Sequence, residues 1–161
     1  MPTVVPHTDS DVEMRRAIQR LRKDKDIGDG GNSVKLENNN AGALIIGTPV
    51  YSDGAGTVDK AQANAAGTIG VVGLVQPTEI AATEKGEIQT NGVLAATATQ
   101  WDAITSESGG LTADAVYYLS AATAGLLTAT APTSAGQFVV RVGRALSATQ
   151  MVIQIQQPVA L

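Results

Sequence analysis

From Ala41 onward, turn-forming residues recur every ten or so positions: Asp53-Gly54, Gly67, Gly86, Asn91-Gly92, Gly109-Gly110, Gly125 and Gly136. The runs between them are short and strand-like. Phe138, Val140 and Val142 alternate with Val139 and Arg141, and Ile153 and Ile155 alternate with Gln154 and Gln156. Each run therefore offers one apolar and one wet face. Gly86-Glu87-Ile88-Gln89-Thr90 leads into Asn91-Gly92 and then Val93-Leu94, which predicts a two-residue hairpin. This rhythm predicts an all-β body over residues 41–161, a barrel or sandwich of short antiparallel strands. One segment departs from it: in Thr99-Gln100-Trp101-Asp102-Ala103-Ile104, Thr99 and Asp102 predict a short helical turn that tucks Trp101 into the body.

The body also reads as two similar β-units packed face to face. Pro49-Val50-Tyr51-Ser52 matches Ala115-Val116-Tyr117-Tyr118 in character, and Gly67 to Gly73 resembles Gly136 to Gly143. Glu87-Ile88-Gln89-Thr90 parallels Val152-Ile153-Gln154-Ile155, and all these pairs are 65 to 70 residues apart. Two copies built of generic residue types leave chance convergence as the other reading.

At 161 residues the chain is one ordinary domain with an appendage, large enough to bury a core. Only Tyr51, Trp101, Tyr117, Tyr118 and Phe138 are aromatic, so that core is built mainly from Val, Ile, Leu and Ala. So thin a core predicts completion by a partner subunit. The absence of Cys excludes disulfides, thiolate metal sites and Cys nucleophiles.

Residues 1–26 read as a separate basic arm. Pro2 and Pro6 make its start extended, and Ser10-Asp11-Val12-Glu13 is a capping box. Met14, Ala17, Ile18 and Leu21 fall at i, i+3, i+4 and i+7, a narrow apolar stripe on a helix of about four turns ending before Gly28. Residues 15–25 hold six of the eleven basic side chains against Asp24 alone, whereas residues 27–161 carry five basic and ten acidic side chains. Such a split predicts an arm that docks on an acidic surface or on nucleic acid; a solvated helix face is the other reading. Residues 27–40, with Gly28, Gly30, Gly31 and Asn38-Asn39-Asn40, read as a flexible joint around a short strand, Val34-Lys35-Leu36-Glu37.

Little in the chain suggests chemistry. His7, the one histidine, lies near the start between turn formers, so a triad or two-His metal site is hard to build. The carboxylates are scattered and the aromatics too few to wall a sugar cleft. Asp26, Asp29 and Asn32 lack the spacing of an EF-hand. The chain is thus expected to be no enzyme and to need no metal or cofactor. Its longest apolar runs fall far short of the ~20 residues that span a membrane. The opening residues show no signal-peptide pattern, which predicts cytoplasmic synthesis. Residues 9–26 contain no aromatic, so nucleic-acid binding is not expected. An amphipathic helix that binds a partner or itself is the better use of the stripe.

Three stretches resemble a known class of proteins. They are Asn39-Asn40-Ala41-Gly42-Ala43-Leu44-Ile45-Ile46-Gly47-Thr48-Pro49-Val50-Tyr51, then Gln100-Trp101-Asp102-Ala103-Ile104-Thr105 with Gly109-Gly110-Leu111-Thr112 and Val116-Tyr117-Tyr118-Leu119, and Val142 to Pro158. Together they are similar in texture to the small β-rich capsid decoration (cement) proteins of tailed bacteriophages, and also to phage head-fibre proteins. The resemblance covers most of residues 39–161. It implies a β-body on the outer capsid surface of the virion, commonly a homotrimer, that bridges and stabilises major capsid protein subunits. It also implies an N-terminal arm in the capsid contact, no catalytic residues, and synthesis in a bacterial host.

The expected capsid or inter-arm contact residues are Val4, Val5, Met14, Arg15, Arg16, Ile18, Arg20, Leu21 and Arg22. The alternative is a head-fibre or tail-fibre module that binds a host receptor or glycan on exposed Tyr51, Trp101 or Tyr117, although these residue types in strand and helical-turn settings favour core positions.

Overall fold

The computed structural model describes residues 32–161. They form twelve strands and one helix: β1 (Ser33–Asn38), β2 (Pro49–Ser52), β3 (Thr57–Lys60), β4 (Val71–Gln76), β5 (Lys85–Gln89), β6 (Gly92–Ala95), α1 (Ala98–Thr105), β7 (Val116–Leu119), β8 (Leu127–Thr128), β9 (Phe138–Val139), β10 (Arg141–Ser147), β11 (Gln150–Ile153) and β12 (Val159–Ala160). The all-β reading holds. The first five strands close into a barrel in the order β1-β3-β2-β4-β5, and the next sheet runs β6-β11-β10-β7-β8. Strands β9 and β12 pair as a small separate ribbon.

The two main sheets are the same design used twice. If β6, β7, β8, β10 and β11 are set against β1, β2, β3, β4 and β5, the neighbour relations coincide. Local irregularities coincide too. The β2–β4 pairing passes from Val50↔Gly73 to Tyr51↔Val71, skipping Val72, and β7–β10 passes from Tyr117↔Gly143 to Tyr118↔Arg141, skipping Val142. The loop before each second strand repeats its hydrogen bonds. Leu44 N–H to Ile80 C=O (2.9 Å) has its counterpart in Leu111 to Ala148 (3.0 Å), and Gly47 to Val75 (2.9 Å) in Asp114 to Ala145 (3.0 Å). Thr48 to Ile45 and Ala115 to Thr112 are both 3.1 Å. Gly47 and its counterpart Asp114 both have positive φ, 85° and 63°; Asp is among the few side chains that tolerate this region. The register differs from the sequence reading: Val50 corresponds to Tyr117 rather than Val116, and Ile88 to Met151 rather than Ile153.

Gly73 and Gly143 occupy equivalent sites for one reason. A Cβ on Gly73 would collide with the Gln89 carbonyl and the Ile88 side chain, and one on Gly143 would lie 2.5 Å from the Val152 carbonyl oxygen and 2.8 Å from Met151 Sδ. At the bulge the neighbouring strand comes too close for any side chain.

The units differ in how they close. In the first, β1 runs on to pair parallel with β3 through Glu37↔Thr57 and Asn38↔Val58. In the second, β6 stops at Ala95 and the chain turns into α1, which packs against β8. Trp101 and Ile104 of α1 are buried in the second core with Leu94, Tyr117, Leu127, Val142 and Met151. The barrel interior is a smaller cluster: Leu44, Val50, Val58, Val75, Ile80 and Ile88.

The outer face of β4, through Leu74, and the segment after β3, through Ala61 and Ala63, close the second core. Backbone hydrogen bonds stitch the units: Ala63 N–H to Ser120 C=O (2.9 Å), Phe138 N–H to Ala63 C=O (3.0 Å) and Gly125 N–H to Ala61 C=O (2.8 Å).

Two local expectations need correction, and one is borne out. Asn91-Gly92 does not make a hairpin. Both edges of β5 are already taken by β1 and β4, so β6 crosses to the other unit and pairs with β11. The short strand expected at Val34-Lys35-Leu36-Glu37 is present as β1, which pairs with β5 from Ser33↔Gln89 to Glu37↔Lys85. Asn38-Asn39-Asn40 is no loose linker. Asn38 is fully buried and donates its amide to Gly42 and Ile80 carbonyls (both 2.9 Å), while its Oδ1 accepts from Asn40 N–H (2.8 Å).

Candidate functional site

The expected contact residues Val4, Val5, Met14, Arg15, Arg16, Ile18, Arg20, Leu21 and Arg22 lie outside the described residues, as do the arm's capping box and Gly28–Gly31. The described surface offers a seam between the two units, an acidic loop cluster, and the aromatic residues.

The seam begins with α1. The expected helical turn is α1, and Thr97 caps it: its Oγ1 accepts from Gln100 N–H (3.2 Å) while Gln100 Oε1 accepts from Thr97 N–H (2.9 Å). Two amide donors at the helix start are thereby satisfied reciprocally. Asp102 then fixes the exit loop, its carboxylate accepting from Gly109 N–H (3.2 Å) and Gly110 N–H (2.6 Å). The helix rests on Gly47 of the first unit, where a Cβ would stand 3.1 Å from Trp101 Cζ3 and 3.4 Å from Ile104 Cγ1. Beside this contact the helix and the first barrel leave a groove of about 490 Å³, lined by Ile45, Ile46, Thr78, Glu79, Thr99, Gln100 and Ala103. Its floor is apolar and Glu79 supplies its one charge.

The acidic cluster sits at the β2–β3 turn. Asn39 Nδ2 donates to Asp53, Asn40 Nδ2 donates to Asp59 (2.7 Å), and Asp59 also accepts from Lys60 N–H (2.6 Å). The Asn39 hydrogen bond holds the Asp53 carboxyl below its usual range. Tyr51 lies opposite Asp59 across the ladder. Burial first, then Asp59 and Asp53, push its phenol above the usual value. These carboxylates are tied to asparagines, and among the described residues no three His, Asp or Glu side chains converge on a common point.

Trp101 and Tyr117 are both 0 % exposed. Tyr117 donates its hydroxyl to Glu107 (2.7 Å) and accepts from Thr112 N–H (2.9 Å), and burial, more than Glu107, raises its pKa. The core reading is therefore the right one for both, and of the three aromatics named for a sugar platform only half-buried Tyr51 reaches the surface.

No protein-family model matches this sequence, and no curated protein matches it. Among the described residues no helix is long and apolar enough to cross a membrane.

The seam groove and the asparagine anchors were missed in the sequence. Ile45-Ile46 stand in the sequence only as part of a short apolar run, and only the folded arrangement brings α1 beside them. The asparagine run did carry a signal: three consecutive residues able to bond their own backbone mark a turn that can be fixed as readily as a loose one.

Proposed function

We propose that this protein is a non-catalytic virion component, a capsid decoration (cement) protein of a tailed bacteriophage. It acts as a homotrimer on the outer capsid surface and bridges major capsid protein subunits. One observation carries the reading: a doubled β-body, stitched across its seam and with its largest side chains spent on its own core, follows directly on a basic amphipathic arm. The texture of residues 39–161 supports the same class.

The described body carries five basic and nine acidic side chains, so the positive charge available for an acidic shell is concentrated in the arm. Three arms on one trimer raise each other's effective concentration, so contacts that are weak singly hold well together. A glycan-binding fibre module is the less favoured reading, because Trp101 and Tyr117 are spent on the core.

The test is replacement of Arg15, Arg16 and Arg20 by Glu in the full chain, followed by particle decoration assays and thermal unfolding. Occupancy should fall steeply while the unfolding transition stays in place. Full occupancy by the triple variant refutes the arm contact. A protein that decorates no capsid but binds a glycan array refutes the whole reading.

A further inference from the structure

The doubled design allows a comparison within one molecule. Ile45 and Ile46 of the first unit correspond to Thr112 and Ala113 of the second, on loops with the same backbone hydrogen bonds. The loop itself therefore does not need isoleucine. Yet Ile45 is 38 % exposed, and with Ile46 and Ala103 it gives the seam groove an apolar floor. An apolar floor of this kind, open at the surface, is where an apolar helix face can seat.

We propose that the occupant is the chain's own arm, with Met14, Ala17, Ile18 and Leu21 seated in the groove. The stripe is apolar and one helix face wide, as the groove requires. It is also close enough. Asn32 stands beside Gly92, its Nδ2 3.6 Å from where a Cβ on Gly92 would lie. From Gly92 the chain runs along β6 to the Thr97 cap, about 17 Å at the rise of a strand. The eleven residues from Leu21 to Asn32 can span up to about 36 Å. The charges agree, since Arg15, Arg20 and Arg22 flank the stripe and Glu79 lies at the groove. Because the arm is tethered, its local concentration at its own groove is in the millimolar range for a short flexible link, above that of a second copy's arm in dilute solution. Seating the stripe turns Arg16 and its basic neighbours outward. The inference concerns the free protein and stands apart from what that basic face then meets.

The chain has no cysteine, so introduced pairs report without background. Ala103 is exposed and tolerates the change. Full-length Ile18→Cys/Ala103→Cys is compared with Arg16→Cys/Ala103→Cys, whose arm cysteine is on the opposite helix face, under mild oxidation, with products read by intact mass. The stripe pair should form an intramolecular disulfide at least about tenfold faster than the control, as fits a docked rather than a merely tethered thiol. Equal rates, or covalent dimer as the main product of the stripe pair, would overturn the proposal. Hydrogen exchange supplies a second reading without cysteines: amides of residues 14–21 should be protected in the native chain and lose that protection in Ile45→Asp. No protection in the native chain, or protection unchanged in the variant, also overturns it. Neither measurement involves a capsid, so failure here is distinct from failure of the decoration assay.

Discussion

Gly143→Ala tests the close approach at the bulge most directly. The added Cβ would lie 2.5 Å from the Val152 carbonyl oxygen, 2.8 Å from Met151 Sδ and 2.9 Å from Met151 Cγ. Met151 is flexible but fully buried, so it can yield only by disturbing the core around it. The carbonyl belongs to the ladder in which Gly143 faces Ile153 and Arg144 faces Val152. Relieving the clash requires β11 to retreat by roughly 0.7–0.9 Å, towards ordinary van der Waals contact, which forfeits up to two ladder hydrogen bonds. These are worth about 1 kcal/mol each, and overpacking adds about 1–3 kcal/mol, for a total near 3–5 kcal/mol. In a protein of this size that lowers Tm by roughly 6–20 °C. The assay is thermal unfolding followed by circular dichroism, with Gly70→Ala as control, because a Cβ there meets nothing within 4 Å and its φ is ordinary. Gly73→Ala should show a loss of similar size, since it occupies the same place in the other unit. A Tm drop below about 3 °C for Gly143→Ala would refute the packing argument. A large loss for one glycine beside a neutral change for the other would refute the equivalence of the bulges.

Asn38→Ala should cost about 1–3 kcal/mol by chemical denaturation, because it removes the side-chain partner of the Gly42 carbonyl and the Asn40 amide and one of the two donors to the Ile80 carbonyl, which keeps Leu44 N–H. Asn38→Asp should be worse at neutral pH, where a carboxylate would face two carbonyl oxygens. Tyr117 ionises above the usual 10.0 in the folded state, so its contribution is intact below that pH and is lost as the pH climbs past it. Tyr117→Phe should cost about 1–2 kcal/mol at neutral pH and remove that part of the alkaline loss, measured as unfolding free energy against pH. Asp53 shows the opposite sign. Its depressed pKa gives a contribution present above the ordinary 3.8 and lost as the pH falls through the folded value. Asn39→Ala should bring the Asp53 carboxyl back toward 3.8, read by NMR titration.

Much of the body was legible because strand periodicity and turn residues are local signals. Ile153 is buried and Gln154 exposed, as alternation requires, and Val140 and Val142 are both fully buried. The doubling was legible in outline, but its register was not. Side-chain character recurs every second residue, whereas the alignment is set by bulges at Gly73 and Gly143 and by which strand faces which. The Asn91-Gly92 error has the same origin. That dipeptide specifies a tight reversal, but whether the strands on either side pair depends on β1, whose claim on β5 is made nearly sixty residues earlier in the chain. The seam groove was illegible for a related reason: Ile46 and Ala103 meet only once two units have folded against each other. The candidate contact residues all lie in the arm, outside the described residues.

Strand β1 has a further consequence, a mechanical one. It is the first described strand after the arm, and it is held on both sides, antiparallel to β5 over five facing pairs and parallel to β3 at its far end. A load carried along the arm and drawn lengthwise through β1 would act across these ladders in shear, so that the hydrogen bonds resist together instead of parting one at a time. An anchor cable spliced into a closed ring of strands in this way is hard to pull out without breaking the ring. For the same reason, a truncation meant to remove only the arm has to stop before Ser33.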